Sequence, residues 1–153
     1  MSTTIIYREA TLEDLPILLA FEQGIISSER PYNPCIEPDP VSYYSIADLI
    51  ESEYSSVVVA QKEQRILASG YAKILPSKAY LTHKEHVLLG FMYVDPEFRG
   101  MGLNAGIIEQ LVAWSKSKDI NDIYLEVYSE NTAAISAYQK AGFKPHITQM
   151  KLN

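Results

Sequence analysis

The sequence predicts an α/β domain, a mixed sheet with helices on its faces in the order β-α-α-β-β-β-α-β-α-β. Three observations predict it. Apolar residues recur at helical intervals over Leu15–Glu22 and again over Leu103–Val112. Short apolar and β-branched runs at Val57–Gln61, Ile66–Leu75, Val87–Val94 and Ile123–Tyr128 read as strands. No repeat, low-complexity stretch or linker interrupts the 153 residues, so 1–153 reads as one domain, long enough to bury a core.

The elements follow in order. Ile5–Arg8 is expected as the first strand. Thr11-Leu12-Glu13-Asp14 has capping-box spacing and opens a helix carrying Leu15, Leu18, Leu19 and Glu22 on its repeat. Residues 24–40 hold Pro31, Pro34, Pro38 and Pro40, which predicts an irregular crossing. Asp39-Pro40 reads as an N-cap with a helix-starting proline, opening a second helix through about Glu53. Val57–Gln61 and Ile66–Leu75 flank a turn at Lys62–Gln64, and Val87–Val94, apolar on both faces, is expected at the centre of the sheet. An amphipathic helix then runs to about Lys118 and Ile123–Tyr128 returns as a strand. Asn131 caps a short helix through Lys140, with Gly142 as its C′ residue. His146–Leu152 is expected as a closing strand.

Composition narrows the function classes. Hydrophobic residues are 47% and charged residues 21%, ordinary for a soluble globular protein. No apolar run approaches the ~18–20 residues of a membrane span, and the N-terminus has neither the basic nor the apolar region of an export signal. One cysteine, Cys35, precludes an internal disulfide and suits a reducing compartment, so the protein is expected in the cytoplasm. The net charge of −6 and scattered Lys and Arg argue against nucleic acid and tolerate a cationic small molecule. His83, His86 and His146 show no metal-ligand spacing with one another or with Cys35, so no metal is expected.

The chemistry-bearing stretch is Asp95-Pro96-Glu97-Phe98-Arg99-Gly100-Met101-Gly102-Leu103-Asn104, between a strand and a helix. A helix N-terminus offers unpaired backbone N–H groups and partial positive charge. Two glycines let that backbone approach a phosphate, and Arg99 adds a cationic arm. The stretch is therefore expected to bind a diphosphate. A Walker A run is absent. Gly100–Ala105 matches GxGxx[GA] formally, but the five residues Asp95–Arg99 separate it from its strand and about fifty residues remain after it, which disfavours a dinucleotide fold.

Arg99-Gly100-Met101-Gly102-Leu103-Asn104, with its lead-in Val94-Asp95-Pro96, resembles the Q/R-x-x-G-x-G/A motif of the GNAT (Gcn5-related N-acetyltransferase) superfamily. Leu125-Glu126-Val127, Asn131, Ala134, Tyr138, Gly142 and Phe143 are similar to its downstream L-x-V…N-x-x-A-x-x-x-Y-x-x-x-G-F pattern, and the element order agrees over nearly the whole chain. Asn104 departs from the motif's last Gly or Ala; it tolerates unusual backbone angles, and its amide can itself bond a phosphate.

The resemblance implies a mostly antiparallel sheet and acetyl-CoA as acyl donor, its diphosphate on Arg99–Asn104 and its pantetheine along the backbone of Met92, Tyr93 and Val94. A backbone N–H near Met92 would polarise the carbonyl, and Tyr138 would protonate the departing thiolate. A phenol of pKa ~10 beside a thiol of ~8.5 suits that transfer. Glu126, twelve residues before Tyr138, has the spacing of the base in ribosomal-protein alanine N-acetyltransferases; Glu22, Glu29, Glu85 or a water chain are alternatives, and a purely structural Glu126 is another. Asn131 is expected to cap its helix and to bond the pantetheine. The acceptor, a small-molecule or peptide amine, is expected to meet Gly24–Pro40, where Arg30 suits a carboxylate and Glu29 or Glu37 an amine. Tyr43, Tyr44, Tyr71 and Tyr93 line that cleft or pack beneath it. The resemblance implies a monomer or homodimer, and a non-catalytic acyl-CoA-binding module is the alternative function.

Overall fold

A computed structural model of the chain describes residues 4–153. Five strands, β1 (Ile6–Glu9), β2 (Ser55–Lys62), β3 (Arg65–Pro76), β4 (Glu85–Val94) and β5 (Ile123–Leu125), form one sheet in sequence order. All neighbours are antiparallel except β4 and β5, which run parallel. Each face is covered by helix because successive strand residues point to opposite sides. Val57, Val59, Tyr71 and Phe91 pack under Leu18, Phe21 and Ile25 of α1 (Leu15–Glu29) and Ile46 of α2 (Ile46–Glu51). Val58, Ala60, Leu67, Ala72 and Leu89 pack under Leu103, Ile107 and Leu111 of α3 (Leu103–Ser117). Each fully buried Val, Leu or Ile side chain among them contributes about 1.5–3 kcal/mol.

The capping box at Thr11–Asp14 forms, with the Thr11 N–H donating to Asp14 at 2.8 Å, but it starts a 3-10 turn that leads into α1. α1 runs on through Gly24 to Glu29, into the stretch expected to be irregular, because Ile25 and Ile26 are core residues. α2 begins at Ile46 and not at Pro40. The cause is tertiary: buried Glu22 accepts the N–H groups of Tyr43 (2.9 Å) and Tyr44 (2.8 Å), drawing 42–44 onto α1.

Near the end of the chain, α4 (Thr132–Lys140) is capped as expected, Asn131 Oδ1 accepting the Ala134 N–H at 3.2 Å. β5 stops at Leu125, three residues short of its expected end. Residues 146–152, expected as a closing strand, carry no strand. Alternation places Ile147 on one face and Met150 and Leu152 on the other, so no single apolar face exists to bury, and all three are exposed.

Candidate active site

The site begins with an irregularity in β4. Ser69 pairs with Tyr93 and Tyr71 with Gly90, so β4 carries one residue more than β3 between these pairs. The extra residue is a bulge at Phe91, whose φ of 58° is unusual for a bulky side chain. The Phe91 ring is buried, and its carbonyl accepts the Ser69 hydroxyl at 3.0 Å. β5 pairs with β4 only across Val87–Leu89, before the bulge. Beyond it the outer edge of β4, at Met92, Tyr93 and Val94, has no strand partner among the described residues, and a cleft opens between the two strands.

The turn that follows is held by charge and capping. The Asp95 carboxylate accepts the Glu97 N–H at 3.0 Å, and Arg65 bridges Asp95 and Glu97 at 3.0 Å each while lying over the Phe98 ring. The Glu97 N–H and then Arg65 hold the Asp95 carboxyl below its usual pKa. Gly100 and Gly102 both take left-handed angles, φ 80° and 79°, and nothing stands within 4 Å of where a Cβ would be on either. α3 starts at Leu103, and the Gly106 N–H bonds Gly102, so the N–H groups of Leu103, Asn104 and Ala105 precede the first intrahelical bond. The Leu103 side chain is in the core, so only its backbone can serve a ligand, while Met101 is exposed. Arg99 lies back along β4. Its Nε donates to the Val94 carbonyl at 3.1 Å and its guanidinium lies 5.7 Å from the Tyr93 ring centre, leaving its other N–H groups at the cleft mouth.

Tyr138 stands on α4 with its ring edge-on to Phe143. Burial, and then the charge of Glu29, push its pKa up to about 12. Glu29, at the end of α1, is itself pushed up by burial and lies beside the Tyr43 hydroxyl. That hydroxyl is buried and faces the Glu29 carboxylate outside strict hydrogen-bonding geometry, close enough to restrain the rise in the Glu29 pKa. Glu126 is exposed just past β5; its charge, after burial, raises the Tyr71 phenol. Glu22 holds the 42–44 backbone and so serves the fold, and Glu85 is exposed at the far end of β4. Arg30 pairs with Asp39 at 2.8 Å, so it is not free for a substrate carboxylate.

Two features had no sequence signal. Asn33 donates to the Tyr128 hydroxyl at 2.9 Å and Tyr32 stacks on the Tyr128 ring, tying the end of α1 to the β5–α4 connection. The three histidines, unrelated by spacing, gather round Tyr124 at the opposite end of β4, where Ser77 Oγ lies 2.7 Å from His83 and 3.0 Å from His86. No metal-holding group of three or more His, Cys, Asp or Glu occurs among the described residues. No helix among them is long and apolar enough to cross a membrane.

This geometry has relatives. Residues 23–143 match the model of the acetyltransferase (GNAT) family. The glucosamine 6-phosphate N-acetyltransferase of Trypanosoma brucei brucei is 26% identical over 149 residues, covering 92% of this chain and 96% of that protein. A shorter match, 39% over 57 residues, covers 37% of this chain and spans only 23% of the uncharacterized N-acetyltransferase YobR of Bacillus subtilis. Among solved structures, a mutant of the BH1408 protein from Bacillus halodurans superposes with a TM-score of 0.85 at 23% identity over 97% of this chain and 98% of that one. A predicted acetyltransferase of Clostridium acetobutylicum, solved with acetyl-CoA, gives 0.75 at 21% identity over 98% and 96%. The glycine turn at the head of α3, the bulge in β4 and the family match across most of the chain agree: this chain belongs to the acetyltransferase (GNAT) family and is a GNAT-type acyltransferase.

Proposed function

We propose that residues 1–153 form one N-acetyltransferase domain that moves an acetyl group from acetyl-CoA to a primary amine of a small molecule or peptide, directly, within a ternary complex. The turn at Arg99–Asn104 carries this reading. Its two left-handed glycines leave open space before the N-terminus of α3, at the point where the free edge of β4 ends. Diphosphate charge is stabilised there by the helix dipole and unpaired N–H groups. Acetyl-CoA, when bound, supplies the activated thioester.

The rest is done by the chain. The backbone of Met92, Tyr93 and Val94 offers hydrogen bonds along an edge that β5 has left, and the Met92 N–H aims a fixed dipole at the developing oxyanion. Asn131 uses Oδ1 for its helix cap, which leaves its amide N–H groups for the pantetheine. Tyr138 holds a proton for the thiolate, and Glu126 takes one from the amine. The relative from Trypanosoma, named for an amine-bearing sugar phosphate, supports an amine acceptor.

Thiol release over a panel of primary amines tests the proposal. Tyr138→Phe is expected to keep acetyl-CoA affinity and lower kcat roughly hundredfold, and Glu126→Gln to displace the acid limb of the pH–rate profile. Undiminished turnover in the first variant removes the acid role, and an unaltered profile in the second removes the base. Tight acetyl-CoA binding without turnover on any amine would leave only an acyl-CoA-binding module.

A further inference from the structure

Glu29 is a half-buried carboxylate with no cation of its own. None of the ion pairs among the described residues involves it, and the adjacent guanidinium, Arg30, is committed to Asp39 and to the Ile36 carbonyl. Desolvating a charge without a partner is costly, and a fold that keeps one gains nothing from it in stability. Beside it the buried Tyr43 hydroxyl faces the carboxylate outside strict hydrogen-bonding geometry; it can offer Glu29 only its one proton, so the carboxylate charge stays unpaired and the hydroxyl oxygen stays without a donor. The surroundings are tyrosine-rich and rigid. Tyr43 packs edge-on to Tyr44, Tyr44 is wedged against Tyr71 and Phe91, and the Asn33–Tyr128 bond fixes the end of α1 over the cleft.

An ammonium group fits these unmet needs. It brings positive charge to the carboxylate and N–H donors to the tyrosine oxygen, and aromatic rings favour a cation near their faces. A phosphate or carboxylate on the acceptor would meet Glu29 and Glu126 and find Arg30 already paired. Resting on the acyltransferase reading above, we propose that Glu29, with Tyr43, forms the acceptor's ammonium subsite and selects a cationic primary amine over an anionic one.

The test uses the full-length protein saturated with coenzyme A, titrated calorimetrically with 1,4-diaminobutane and with glucosamine 6-phosphate. The diamine is expected to bind more tightly. Its affinity is expected to fall about tenfold in Glu29→Gln, with partial recovery in Glu29→Asp and no change in Glu51→Gln, an exposed carboxylate at the end of α2. Coenzyme A affinity should be equal in all variants, which also certifies their folding. Diamine binding that survives Glu29→Gln, an absence of diamine binding to the wild type, or tighter binding of the sugar phosphate would each overturn the proposal while leaving the acetyl-CoA reading intact. Loss of coenzyme A binding by the wild type would instead remove the acyltransferase reading, and this subsite with it.

Discussion

Tyr138 and Glu29 come from distant parts of the chain, and the charge of Glu29 alters the chemistry of Tyr138. A phenol held near pKa 12 is a poor match for a thiolate whose conjugate acid lies at ~8.5, since an efficient donor has a pKa closer to that of the group it protonates. Burial supplies the larger part of the shift and the Glu29 charge the next. The second part is removable. A cation at Glu29 offsets the repulsion that opposes tyrosinate, so an ammonium in the subsite would bring Tyr138 down toward the thiol and strengthen it as an acid. The sign fixes a prediction. Glu29→Gln deletes the negative charge, so the Tyr138 pKa must fall, and more tyrosinate should form between about pH 9 and 11. Ultraviolet difference titration against the corresponding Tyr138→Phe proteins isolates that one phenol. A step that stays in place or moves upward would show that Glu29 and Tyr138 are not coupled.

Elements show where local sequence information ends. The glycine turn and the α4 cap follow from spacing alone, because turns and caps are made by residues a few positions apart, whereas the strand at Val87–Val94, expected at the centre of the sheet, lies one place in from its edge. The start of α2 does not follow from spacing. It is set by Glu22, twenty or so residues away, whose carboxylate takes two backbone N–H groups that would otherwise have opened a helix at Pro40. Glu22→Ala would strand those donors and should destabilise the protein by about 2 kcal/mol, measured by urea unfolding; an unchanged midpoint would mean that 42–44 is held by packing alone. The bulge at Phe91 was hidden for a similar reason. Nothing in Leu88-Leu89-Gly90-Phe91-Met92 shows that β3 will be one residue shorter opposite it. The glycine turn was therefore legible in the sequence as a local motif, whereas the proximity of Glu29 to Tyr43 and Tyr138 exists only once α1, the crossing and α4 are brought together.

At the scale of the molecule, the sheet is a device for parting two strands. β4 and β5 run together for three residue pairs and β5 then ends, so beyond the bulge at Phe91 the outer backbone edge of β4 has no strand partner among the described residues. The N-terminus of α3 follows that free edge, and Glu29, in no ion pair among the described residues, stands at the end of α1. A dianionic diphosphate and a cationic amine would thus be drawn to different places, on a protein whose net charge of −6 gives it no general attraction for anions. Whatever holds the diphosphate must be local, and the glycine turn is the place we propose. Calorimetric titration with acetyl-CoA, on the wild type and on Gly102→Glu, tests this most directly. The substitution sets a carboxylate into the open space before α3, at a left-handed position that costs roughly 1 kcal/mol to fill, and circular dichroism verifies that the fold persists. Micromolar binding to the wild type, on the order of −8 kcal/mol, that the folded variant loses is the predicted result. No binding to the wild type, or equal binding to the folded variant, would mean that the turn at Arg99–Asn104 is only structural.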